Sequence, residues 1–164
     1  MTTSTSTYTY TITQTATYLG EMIMGEIADL LAMLSIAPNN AARWDLDQRA
    51  ITAWIAERSL DTVVLECHRP DGSTRPIFEF PITYRLTGEG EFENSRAAIA
   101  RARAKISLVP SGTTYRLFCT FRTARSEQRG WTAGTRAATD GLRSSAFGVL
   151  ADAPHARADF RYLR

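Results

Sequence analysis

Apolar residues recur at steps of three and four through Leu19, Met22, Ile23, Ile27, Leu30, Leu31 and Leu34, the period of a helix with a broad buried face. This pattern predicts a central helix that ends before the breakers Pro38, Asn39 and Asn40. Upstream, Ser4 to Thr13 alternates, with Tyr8, Tyr10 and Ile12 on one side and threonines 7, 9, 11 and 13 on the other. Period-two alternation of β-formers predicts a strand there. Asp45 and Gln48 have the spacing of an N-cap and its reciprocal partner. They predict a second helix through about Arg58, packed through Leu46, Ala50, Ile51, Trp54 and Ile55.

A hairpin follows. Val63, Leu65 and Cys67 alternate with Thr62, Glu66 and His68, the turn is Arg69-Pro70-Asp71-Gly72, and Phe78, Phe80, Ile82, Tyr84 and Leu86 share one face of the return strand. Pro81 has no N–H to give to a ladder, which predicts an edge strand or a bulge. Asn94 to Ser107 predicts a third helix that buries Ala98, Ile99, Ala102 and Ile106 and exposes Arg96, Arg101, Arg103 and Lys105. Thr114 to Arg122 then predicts a strand with Tyr115, Leu117, Cys119 and Phe121 inward. The elements imply one α+β domain, with three helices packed on a mostly antiparallel sheet.

The last 42 residues, Thr123 to Arg164, have no helical stripe, yet Trp131, Leu142, Phe147, Val149, Leu150, Phe160, Tyr162 and Leu163 are spaced among glycines 130, 134, 141 and 148. Connections beyond roughly 15 residues inside a compact domain are uncommon and usually functional. An anchored, extended segment is expected to lie on the scaffold, in more than one way if its joints allow.

Composition narrows the function classes. With 164 residues, 44% hydrophobic and 22% charged, the chain matches one globular domain. It has no run of ~18 apolar residues and no secretory leader pattern, so a cytoplasmic protein is expected. Residues 1–121 hold 11 basic and 13 acidic side chains, whereas 122–164 hold eight arginines (122, 125, 129, 136, 143, 157, 161 and 164) and four acids. A basic tail suits either a nucleic-acid partner or a segment held to an acidic body by ion pairs. The dispersion of these arginines favours the second.

Catalytic constellations find no support. Cys67 and His68 are neighbours on a strand and point to opposite faces, His155 has no metal-ligand spacing, and Gly88-Glu89-Gly90-Glu91 lacks the lysine of a phosphate loop. The expectation is a binding protein, not an enzyme, without metal or cofactor. Extended segments beside a sheet point to recognition by strand addition.

Over essentially its whole length the chain resembles the bacterial HORMA-domain proteins of cyclic-oligonucleotide anti-phage signalling (CBASS) operons. The resemblance rests on the start TYTYTIT, on Trp44 and Trp54 around ITAWIAERSLDTVVLE, on FEFPITYRL and TYRLFCTFR, on Gly130-Trp131, on Thr139-Asp140-Gly141-Leu142 and on the ending Tyr162-Leu163-Arg164. It implies a single HORMA domain over 1–164: an N-terminal segment (1–13), a core (14–122) and a mobile C-terminal safety belt (123–164). It also implies a signalling adaptor that switches between open and closed states. The belt would wrap a closure-motif peptide from another protein, using Trp131, Leu142, Phe147, Gly130, Gly134 and Gly141. The closed form would activate a cGAS/DncV-like nucleotidyltransferase, and an AAA+ remodelling ATPase would reopen it through Thr7, Tyr8, Thr9 and Tyr10. A nucleic-acid-binding module using the arginine-rich tail is the alternative.

Overall fold

The computed structural model describes residues 2–164, with side chains from residue 11 onward. Helix α1 runs from Thr2 to Met33, so the N-terminal segment is helical, not the strand its alternation predicts. The reason is continuity: Ile12 and Ala16 are buried in line with Leu19 and Ile23, so a long amphipathic helix extends upstream over residues whose local preference is only weakly against it. The side chains of Thr7, Tyr8, Thr9 and Tyr10 lie outside the described residues.

Helix α2 spans Ala41–Ala56 and starts four residues before the expected cap. Asn40, whose side chain accepts the Arg43 backbone N–H, is its N-cap. Asp45 and Gln48 sit inside the helix instead. The two helices approach closely at Gly20, where a Cβ would stand 2.6 Å from Thr52 Oγ1.

The sheet begins with the expected hairpin, β1 (Leu60–His68) and β2 (Thr74–Tyr84). It is completed by β3 (Glu93–Asn94), β4 (Thr114–Phe121), β5 (Ser144–Ala153) and β6 (Ala156–Leu163). Spatial order is β3-β5-β6-β2-β1-β4, and every described pairing is antiparallel. Part of the tail therefore forms a hairpin, β5–β6, that docks on β2. This makes β2 an interior strand and corrects the edge expected from Pro81. The ladder adapts without a bulge: Glu79 pairs with Arg161 and Ile82 with Ala158, while Phe80 and Pro81 have no partner on that side.

One face of the sheet packs on the helices through a core that contains Trp54, Phe78, Phe80 and Phe160, all fully buried. Phe160 stacks on Phe80 with centroids 5.0 Å apart and on Phe78 at 6.0 Å. The other face is covered as well, since Val64, Glu66, Ile77 and Glu79 on it are buried. No helix among the described residues is long and apolar enough to cross a membrane.

Helix α3 is shorter than expected, Arg96–Arg103, and buries only Ile99; Ala98 is exposed. Two of its arginines are not on a solvated face. Arg103 Nη1 lies 3.1 Å from Glu26 Oε2, and Arg96 pairs with Asp29 and approaches Glu26. Glu26 is fully buried, and loss of solvent raises its pKa to about 7 against the pull of Arg103 and Arg96. A carboxyl whose folded pKa is raised contributes most stability when protonated. That contribution is complete below the unfolded value of 4.5 and lost as pH rises through about 7. Relative to Glu26→Gln, the wild-type chain is expected to lose roughly 2–3 kcal/mol of unfolding free energy between these limits. Urea unfolding of both proteins across that range checks it, and parallel pH profiles would refute it.

Candidate functional site

Residues 122–143 leave the end of β4 and travel round that strand's outer edge. On the helix side, the Ser126 N–H donates to Glu57 and the Ser126 carbonyl accepts from Trp54 Nε1, both at 2.9 Å. At Gly130 the chain turns with φ +84°, and its carbonyl accepts from Arg43. Any side chain here would be strained, since a Cβ would also lie 2.9 Å from the Arg43 guanidinium. Trp131 packs edge-on against Trp54 with centroids 5.2 Å apart, and Arg43 lies over its ring.

Beyond Gly134 the segment lies on the outer face of the sheet. Thr135 O accepts from Arg116 at 2.7 Å, and the Ala137 N–H donates to Glu66 Oε2 at 2.8 Å. Arg136 pairs with Glu79, and Leu142 closes over Val64, Ile77 and Leu163. Glu66 and Glu79 are thus the two fixed anions that hold the crossing. Arg116, 2.8 Å from Glu66, and Arg161, 3.5 Å from Glu79, complete their neutralisation.

A cleft of ≈ 480 Å³ separates this segment from β4. Its wall on the strand side runs from Arg116 to Phe121, and Gly130 to Gly134 form the opposite wall. Arg43, Trp54 and Arg125 close the end beside α2. Because β4 is the last strand of the sheet, every second N–H and C=O along it points away from β1, as on any edge strand. The cleft therefore joins a row of backbone hydrogen-bonding groups to aromatic walls on both faces, an arrangement suited to an extended peptide.

The profile of the Bacterial HORMA domain 2 family matches residues 2–164. The chain belongs to this family. Among the curated proteins none matches it. Solved structures share the fold at low identity. A chain of the mitotic checkpoint complex superposes with a TM-score of 0.76 at 9% identity, covering 91% of this chain and 97% of that one. A chain of an E. coli HORMA:CdnC:Trip13 complex gives 0.64 at 10%, covering 93% and 89%. C. elegans HTP-2 bound to the HIM-3 closure motif gives 0.57 at 16%, covering 74% and 67%.

Within this HORMA domain, three of the expected belt residues meet at the cleft: Gly130, Trp131 and Gly134. Leu142 lies on the outer face. Phe147 sits in β5 against Phe160 and Tyr162, with centroids 5.1 and 5.8 Å away. Gly141 occupies an open turn with φ +79°.

Arg43, Arg116, Phe118, Phe121 and Arg125 were not among the expected site residues. The alternation of β4 already put Arg116 and Phe118 on one face, but only the sheet order shows that β4 is an edge. The tail arginines are partly spent on ion pairs: Arg136 and Arg161 hold Glu79, and Arg157 meets Asp159. Elsewhere burial pushes the Cys67 thiol up to about 12 and raises Cys119 as well, which disfavours a nucleophilic thiolate. His155 is buried in the β5–β6 turn, where burial lowers its pKa.

If Glu66 is the tether of the crossing, Glu66→Gln weakens a charge-assisted acceptor for the Ala137 amide by about 1 kcal/mol. Hydrogen exchange at residues 135–140 is then expected to accelerate several-fold, with slower-exchanging core amides in β1 and β2 little changed. Unaltered exchange at Ala137 would remove Glu66 from that role.

Proposed function

We propose that this HORMA domain is a peptide-capturing adaptor whose 123–164 segment is a safety belt in its closed arrangement. A closure-motif peptide from another protein adds as a strand to the free edge of β4, and the belt encloses it. The observation that carries this reading is the path of residues 122–143, which pass round the unpaired edge of β4 and leave a cleft between segment and strand. The C. elegans relative bound to a closure motif supports the same use of the fold.

In this reading the closed form engages and activates a cGAS/DncV-like nucleotidyltransferase in anti-phage defence, in the cytoplasm, and an AAA+ ATPase reopens it. The E. coli complex containing HORMA, CdnC and Trip13 supports that set of partners. The ATPase takes hold of the start of α1, at Thr7, Tyr8, Thr9 and Tyr10. Threonine and tyrosine are among the weaker helix formers, so the first turns of α1 unwind at low cost. The adaptor itself does no chemistry. The nucleic-acid alternative loses ground because three of the eight tail arginines, Arg136, Arg157 and Arg161, are engaged with Glu79 and Asp159.

The decisive assay mixes the protein, a peptide recovered from a display library and a candidate nucleotidyltransferase, and follows cyclic nucleotide synthesis. Synthesis is expected only with all three present. Activity independent of this protein would defeat the adaptor role. Trp131→Ala removes an aromatic wall of the cleft, a loss of ~2 kcal/mol or more in comparable interfaces, felt mainly as faster release. Peptide dissociation followed by fluorescence anisotropy is expected to quicken by at least tenfold. An unchanged rate would show that Trp131 does not retain the peptide.

A further inference from the structure

The cleft has a charge pattern that its peptide-binding role does not by itself require. Three arginines line it, Arg43, Arg116 and Arg125, and no aspartate or glutamate does. Two of them are already balanced from behind. Arg43 lies 2.9 Å from the buried Asp47, and Arg116 lies 2.8 Å from the buried Glu66. Arg125 differs. Its guanidinium stands 5.3 Å from the Trp54 ring centroid and 5.1 Å from that of Phe121, and its one described hydrogen bond is a long contact of 3.4 Å to the Ser126 carbonyl. Among the described residues no carboxylate lies within ion-pair distance of it. Glu57 feels the Arg125 charge beyond ion-pair distance, but its carboxylate is already bonded to the Ser126 N–H and to Ser59 Oγ.

The two rings, which meet edge to face at 82°, hold the guanidinium at this end of the cleft and leave N–H groups for an acceptor. From this geometry we infer that the captured peptide is acidic, with an aspartate or glutamate that meets Arg125 at the Phe121 end of β4. This rests on the peptide-capture reading and specifies its ligand. Successive side chains of an added strand point to opposite faces. Arg125, Trp54 and Trp131 lie together on the helix side, whereas Arg116 and Phe118 lie on the outer face. The acidic residue and the apolar side chain that meets the Trp54–Trp131 wall therefore share a parity, separated by two or four positions in the peptide.

The test is selection of a random twelve-residue peptide library by the full chain and by Arg125→Glu, with Arg125→Gln as a milder variant and circular dichroism as the check that each is folded. Wild type is expected to enrich Asp or Glu at one position, spaced by two or four from an apolar anchor. Replacing that acid with Lys in a selected peptide should weaken binding by about tenfold. Arg125→Gln should erase the preference, and Arg125→Glu should move it to Lys or Arg. Captured peptides with no acidic position, or with one that persists in Arg125→Gln, overturn the inference and leave peptide capture standing. If the wild-type chain captures no peptide, or captures a single-stranded oligonucleotide in preference, the reading beneath the inference falls with it.

Discussion

Two buried carboxylates on the outer face of the sheet determine the course of the C-terminal quarter of the molecule. Glu66 on β1 and Glu79 on β2 are buried, and a buried anion must find cations or N–H donors. Arg116 and the Ala137 amide serve the first, Arg136 and Arg161 the second. All but Arg116 belong to the tail. A chain that must deliver residues 136 and 137 to the outer face after leaving β4 has to pass round the edge of that strand. The cleft is a by-product of that route.

The same route explains why both faces of β1 are buried although its sequence alternates. The helix side takes Val63, Leu65 and Cys67, and the outer side takes Val64 and Glu66. An outer face left to solvent would put Val64 and Ile77 in water. With Leu163 beside Ile77 in the sheet and Leu142 over them they form a second small core. The sheet is therefore sandwiched between helices on one side and, on the other, a segment with no regular structure of its own.

Much of the fold was legible because its signals are local. The Leu19–Leu34 stripe, the hairpin about Asp71-Gly72 and the alternation of Tyr115 to Phe121 became α1, β1–β2 and β4. Errors arose where a distant contact overruled a local preference. The Tyr-Thr alternation near the start was absorbed into α1 through Ile12 and Ala16, and Pro81 was brought inside the sheet when β6 docked on β2. Arg96 and Arg103 were turned from solvent by Glu26, seventy and more positions away. The site was legible only in part. The tail announced itself by length and by Trp131, but a cleft between two segments exists only once strand order is known, so Arg125 carried no mark in the sequence.

The missing rungs at Phe80 and Pro81 have a mechanical meaning. The β1–β2 and β1–β4 ladders run through this part of the sheet, whereas the seam between β2 and β6 is perforated near its middle. The β5–β6 hairpin is therefore joined to β2 by two separate groups of rungs, 77–79 with 161–163 and 82–84 with 156–158, and between them Phe80 and Phe160 hold the strands together by ring stacking in place of a ladder rung.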